Sequence, residues 1–163
     1  MFQAATISAT DKPGFYTELL QQLEGLLHGE RDAIANAANL SALLFDAMPR
    51  LNWAGFYLMR GGELVLGPFQ GKPACVRIPV GRGVCGTAVA RRESMLVEDV
   101  HAFPGHIACD AASRSELVVP LIRDGEVVGV IDLDSPDPGR FDTDDKAGIE
   151  AIASLYIEAS DRF

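Results

Sequence analysis

At 163 residues and 17.5 kDa, with 48% apolar residues, the chain has material for one domain with its own core and too little for two. Fourteen Lys+Arg against 23 Asp+Glu leave a formal charge of -9 and a pI near 4.7, a balance that repels nucleic-acid phosphates and anionic membrane surfaces. Met1 to Ala5 carry neither the basic nor the apolar part of a secretory leader, and no stretch approaches the roughly 18 to 20 apolar residues of a membrane span, so a cytoplasmic location is expected.

Residues 1–12 form an uninformative arm. Phe15, Leu19, Leu20, Leu23, Leu26 and Leu27 then recur at helical spacing, which predicts an amphipathic helix over residues 13–29, ended by Gly29. Its leucine content exceeds what one face can hide, which points to a homodimer. Ile34, Ala38, Leu40, Leu44, Phe45 and Met48 define a second helix over 32–48, stopped by Pro49. From residue 51 the pattern changes to short β-type runs, 53–59 and 63–66, joined as a hairpin through Gly61 and Gly62. Residues 74–80 predict another strand, and Gly81-Arg82-Gly83 turns the chain into a short helix over 86–92.

A brief strand at 95–97 precedes the irregular stretch 99–114, whose length marks it as a functional loop. Two β-rich runs, 116–122 and 126–134, flank Asp124-Gly125, and a closing helix spans 142–160. Helices at both ends of a mostly antiparallel sheet core, 51–134, give a single α+β domain over 1–163.

Three cysteines, an odd number, argue against a structural disulfide framework in a reducing compartment and leave thiol chemistry or burial. Cys85 lies at the start of a predicted helix, where free N–H groups and the helix dipole favour an accessible thiolate; the alternative is a small buried residue packing the turn. Cys109 sits in the irregular segment beside His106, and Cys75 opens a predicted strand, the usual place of a core thiol. A second thiol within reach of a sulfenic acid removes it as a disulfide, so the trio supplies attacker, resolver and spare. Zinc on Cys75, Cys85, Cys109 and His106 is disfavoured, because structural zinc sites deliver ligands in closely spaced pairs and no C-x-x-C occurs. No metal or cofactor is expected.

Asp132 and Asp134 are two apart on a predicted strand and share a face. Glu116 joins them if Arg123-Asp124-Gly125 is a three-residue loop, which sets Glu116 opposite Asp132; a two-residue turn sends it to the other face. The three-residue loop is the expectation, since it avoids burying a lone carboxylate elsewhere. Crowded carboxylates raise one another's pKa and make a general acid; the alternative is a solvated strand face. Trp53 and Tyr57, four apart on one strand, form either an apolar pocket wall or plain core. His28, His101 and His106 receive no role.

Val80-Gly81-Arg82-Gly83-Val84-Cys85-Gly86-Thr87-Ala88-Val89, Val97-Glu98-Asp99-Val100, and Glu116 to Ile122 with Gly129-Val130-Ile131-Asp132-Leu133-Asp134-Ser135 resemble a GAF domain. Asn52-Trp53-Ala54-Gly55-Phe56-Tyr57, the three cysteines and His106-Ile107-Ala108-Cys109-Asp110 narrow the resemblance to the free methionine-(R)-sulfoxide reductases, from about Tyr16 to Ala159. The resemblance implies reduction of the R-sulfoxide of free L-methionine, with thioredoxin as reductant and a homodimeric enzyme. It assigns the sulfenic acid to Cys109, the resolving thiol to Cys75 and a secondary part in recycling to Cys85. It sets Trp53 against the substrate methyl group, with Tyr57, Glu116, Asp132 and Asp134 around the substrate, the acids holding its ammonium and backbone N–H groups its carboxylate. The helix terminus favours Cys85 as attacker; the expectation follows the resemblance, because that electrostatic effect is modest. The rival reading is a GAF sensor binding a nucleotide or small metabolite without turnover.

Overall fold

The computed structural model describes residues 2–107 and 110–162. Its order is α1 (Lys12–Leu27), α2 (Ala33–Ala47), β1 (Trp53–Arg60), β2 (Glu63–Gly71), β3 (Arg77–Pro79), α3 (Gly83–Arg91), β4 (Met95–Val97), a 3-10 turn (Val100–Ala102), β5 (Ser115–Arg123), β6 (Glu126–Ser135) and α4 (Thr143–Ala159). The strands form one antiparallel sheet in the order β3-β2-β1-β6-β5-β4. The expected α+β class holds.

Strand alternation divides the interior into two cores, one on each face of the sheet. Ala54, Phe56 and Leu58 of β1, Leu117, Val119 and Leu121 of β5, and Ile131 and Leu133 of β6 meet α1, α2 and α4. Trp53, Tyr57, Val118 and Val130 point the other way, where α3 covers them with Val84, Cys85, Ala88 and Val89. The central strands are therefore buried on both faces.

Helix starts follow their caps. Asp11, Asp32 and Asp142 accept N–H bonds from the first turns of α1, α2 and α4, and Asp142 with Asp145 closes a reciprocal capping box. Asp145 is also a buried hub: it accepts from Tyr16 at 2.8 Å, pairs with Arg140 at 3.3 Å and receives the Lys12 ammonium. The arm is held along α1 by paired Ala5–Gln22 bonds and by Ser8 donating to Glu18.

Four expectations change, the first being the strand expected over 63–66, which runs on to Gly71 because its pairing with β1 continues past a bulge to Trp53. The 74–80 strand contracts to Arg77–Pro79, so Cys75 stands before it rather than in it. Helix α3 begins at Gly83, three residues early, because Gly83 and Gly86 permit a tight return in which Gly81 N–H bonds to Gly86 C=O at 2.8 Å. In α1, Tyr16, Leu19, Leu23 and Leu27 are buried while Phe15, Leu20 and Leu26 pack partly buried on the same core. That helix thus spends its leucines within the chain, and the surplus face on which the homodimer rested is absent there.

On the α3 side, Gly55 lies between Trp53 and Tyr57. A Cβ there would meet Phe69 Cβ at 2.3 Å and the Trp53 ring at 2.8 Å. Gly55→Ala is expected to cost about 1 to 3 kcal/mol by overpacking, read as a lower urea midpoint with unchanged m-value.

Candidate active site

The β5–β6 hairpin decides the site. Asp124 (φ 52°) and Gly125 (φ 80°) are both left-handed and form a two-residue turn that pairs Arg123 with Glu126. The expected three-residue loop is therefore wrong. By itself this turn would send Glu116 to the far face, but a bulge intervenes: Ile122 pairs with Val127 and Leu121 with Gly129, so Val128 is the extra residue. The slip restores the parity. Glu116 lies opposite Asp134, not Asp132, and all three carboxylates share the α3 face.

Pairing with β1 completes the grid. Trp53, Asp134 and Glu116 form one row across three strands, and Gly55, Asp132 and Val118 the next. Over this grid lies a cavity of about 30 Å³, room for roughly two waters. Trp53, Tyr57, Glu116, Asp132 and Asp134 line its floor; Gly83, Val84 and Cys85 form one wall; Lys72 to Ala74, His106, Ile107, Asp110 and Ser113 close the rest.

Glu116 and Asp132 are each 6% exposed, which removes the solvated-face alternative. Burial pushes Glu116 well above the ordinary carboxylate range, and the charges of Asp132 and Asp134 push it further. Asp134 rises for the same reasons, burial first, then Asp132 and Asp110, with a Ser113 hydrogen bond opposing. Burial brings Asp132 up to about 7 against the opposing effect of its Cys85 and Glu116 neighbours. Its Oδ1 is buried without a hydrogen-bond partner among the described residues. The cluster thus holds protons at neutral pH and can release one.

Cys85 occupies the third position of α3 and is 3% exposed, with Sγ 3.9 Å from Glu116 Oε1. Burial, then Asp132 and Glu116, push its thiol well above its ordinary range. The expectation of an accessible thiolate fails, because desolvation and two neighbouring carboxylates outweigh the helix dipole. Cys75 is half-buried and disulfide-bonded, whereas Cys85 is free. Cys109 lies outside the described residues.

The aromatic pair has a double part. Trp53 stacks between Tyr57 and Phe69, at centroid distances of 5.8 and 5.2 Å, and its Nε1 donates to Lys72 C=O. Tyr57 donates its hydroxyl to Cys75 C=O at 2.9 Å. Both therefore hold the 72–75 segment as well as lining the cavity.

Several residues given no role in the sequence reading also border the site. His106 Nε2 stands 4.0 Å from Glu116 Oε2, with burial lowering its basicity. Asn52 donates to Asp110 and Ser113 at 3.2 and 3.1 Å, tying the long loop to the start of β1. Asn52, His106 and Asp110 fall within the two motifs quoted above; Ser113 carries no signal in isolation.

A GAF domain family model matches residues 35–159. The chain is similar to Protein YtsP of Bacillus subtilis, 60% identical over 151 residues covering 91% of this chain and 93% of the relative. It is 54% identical to the free methionine-R-sulfoxide reductase of Escherichia coli over 88% of this chain and 87% of that one. The solved free methionine-R-sulfoxide reductase of Neisseria meningitidis in complex with its substrate superposes with a TM-score of 0.94 at 45% identity, covering 98% and 95% of the two chains.

Asp132 has a folded pKa of about 7 against an ordinary 3.8, so the native state holds this proton more tightly than the unfolded one. Its burial is free of penalty at low pH; the penalty grows as pH rises from about 4 and is complete above about 7. Asp132→Asn is expected to gain on the order of 2 kcal/mol over wild type between about pH 4.5 and pH 8. Urea unfolding of both proteins at the two pH values measures it, and parallel pH dependences would contradict the assignment.

Proposed function

The chain belongs to the GAF domain family and within it to the free methionine-R-sulfoxide reductases, and we propose that it reduces the R-sulfoxide of free L-methionine through Cys109, Cys75 and the Glu116, Asp132 and Asp134 acids. The observation that carries this reading is a buried, proton-bearing carboxylate cluster facing a cavity whose wall leads directly into Cys75.

Cys109 attacks the sulfoxide sulfur as a thiolate while a carboxyl group of the cluster gives its proton to the oxygen. The sulfur–oxygen bond of the substrate then breaks as the hydroxyl passes to Cys109, and the sulfur–sulfur bond formed on attack opens with its electron pair on the substrate sulfur; the sulfoxide is reduced by two electrons, Cys109 is oxidised to a sulfenic acid, and methionine leaves. Cys75 then attacks that sulfenic acid, releasing water and closing a disulfide. Thioredoxin returns both sulfurs to thiols, as expected of a cytoplasmic enzyme. Among the described residues no helix is long and apolar enough to cross a membrane.

The residues support the parts. Gly83, Val84 and Cys85 head α3, where the first N–H groups lack intrahelical acceptors, and they receive the substrate carboxylate. Asp134 and Asp132 hold the ammonium, and the Trp53 indole bounds the methyl group. Cys75 is disulfide-bonded and Cys85 is not, which suits a stage after methionine has left, and a cavity of about 30 Å³ is small for an amino acid, as such a stage requires. Tyr57 serves the second step by fixing the Cys75 backbone.

Reduced wild type given one equivalent of sulfoxide without reductant is expected to yield one methionine and lose two hydrogens by intact mass. Cys109→Ser is expected to yield none. Cys75→Ser is expected to yield one equivalent of methionine without the mass loss; a normal single-turnover rate in Cys109→Ser would refute the assignment of attacker. Tyr57→Phe is expected to leave methionine release in the first turnover intact and slow disulfide closure about tenfold, on the scale of one lost hydrogen bond; slowing of the first step instead would make Tyr57 a substrate ligand only.

A further inference from the structure

We propose that the cavity is also a binding site for one thiophilic divalent cation, Zn2+ or Cd2+, held by Cys85 Sγ and the carboxylates of Glu116 and Asp132. One donor atom from each of these residues lies within 4.8 Å of the other two, and all three residues are buried. Among the described residues they are the one His/Cys/Asp/Glu group so convergent. Cys85 Sγ and Glu116 Oε1 are already 3.9 Å apart, against about 3.5 Å for sulfur and oxygen donors around one tetrahedral zinc. His106, 4.0 Å from Glu116 Oε2, borders the fourth direction with a nitrogen donor.

An independent feature points to a ligand here. Asp132 is 6% exposed and lines the cavity, one of its carboxylate oxygens converges on the Cys85 and Glu116 donors, and its Oδ1 has no hydrogen-bond partner among the described residues. No Lys or Arg ion pair reaches Glu116, Asp132 or Asp134 among the described residues, whereas the other buried acid, Asp145, has both Arg140 and Lys12. The chain thus compensates one buried carboxylate with cations and leaves the other group open. Thiolate, carboxylate and imidazole together suit zinc or cadmium rather than magnesium or calcium, which take oxygen alone. Two positive charges offset most of the charge of three anionic donors, and the ligand protons leave to solvent. The set differs from the cysteine-rich one considered from sequence, since Cys75 is disulfide-bonded and the carboxylates replace it. The cavity, about 30 Å³, suits an ion with a water.

The test is Cd2+ titration of the full chain with Cys75 in its disulfide, so that Cys85 is the free thiol. Wild type is expected to bind one ion with a thiolate-to-cadmium absorption in the ultraviolet. Cys85→Ser should lose that absorption and bind about 100-fold more weakly, and Asp132→Asn should keep the absorption and bind at least about tenfold more weakly. Circular dichroism establishes that each variant is folded; if Cys85→Ser is not, Asp132→Asn carries the test. Absence of the absorption in wild type, or equal affinity in wild type and the folded variants, overturns the site and leaves only ions scattered on an acidic surface. That a bound ion excludes the sulfoxide rests on the proposed function, and competition by methionine sulfoxide in reduced Cys109→Ser, which keeps the open state and on that proposal cannot turn over, tests that part alone. Cd2+ bound through Cys85 and indifferent to sulfoxide would uphold the ion site and remove the substrate from this pocket.

Discussion

Setting three carboxylates on one face of a sheet, Glu116 and Asp132 buried and Asp134 half-buried, is the constraint around which this domain is arranged. Removing a lone carboxylate from water costs several kcal/mol, and a cluster compounds the cost through mutual repulsion. Proteins meet it with cations, with hydrogen bonds or with protons. At Asp145 the first two operate: Arg140, Lys12 and Tyr16 all reach it, and it closes the cap of α4. At Glu116, Asp132 and Asp134 the compensation is chiefly protons. The first site ties α1, α4 and the end of the sheet together; the second keeps acid in a cavity. Only the second sets proton-bearing groups against a cavity.

The geometry that makes such a cluster possible is the parity of the sheet. Because β1, β5 and β6 are buried on both faces, an inward acid on one face coexists with an unbroken apolar core on the other. Ile131 and Leu133 anchor β6 to the helical layer while Asp132 and Asp134, between and beyond them, face α3. The carboxylates cannot drift outward without exposing those apolar neighbours, so the well-packed side enforces the costly one. Gly55 contributes by its lack of a side chain, leaving space for the Trp53 ring and Phe69 beside the second row.

Much of this was legible in the chain. Helical spacing located α1, α2 and α4 within a few residues, and the alternation in β6 gave the shared face of Asp132 and Asp134. The face of Glu116 does not follow from the turn alone. Asp124-Gly125 is a two-residue turn by its own chemistry, and the residue that resets the register, Val128, sits in an apolar run with nothing in its identity to mark a bulge. Local turn preference fixes the first pair; the bulge answers to burial across the whole strand. In the same way Cys75 reads as a strand residue, because its apolar neighbours resemble one, while Tyr57 from a strand distant in sequence holds its carbonyl in a loop. His106 was missed for a similar reason, since its approach to Glu116 is made by a loop without periodicity.

Cys85 shows how two effects of known size compete. A helix N-terminus stabilises a nearby anion by about 0.3 to 1 kcal/mol, and by about 2 at most when partly buried. Full burial shifts ionisable groups by up to about 3 to 5 pKa units, each worth about 1.4 kcal/mol, in the direction of the neutral form. The dipole therefore loses even before the charges of Asp132 and Glu116 are counted. A neutral thiol at that position is a poor nucleophile, yet it suits the carboxylate beside it, since a proton on sulfur costs that carboxylate no repulsion. The carboxylates that supply acid to the cavity thereby suppress the thiolate inside their own cage. A sulfur that attacks as a thiolate, as the proposed function requires, must therefore ionise outside that cage.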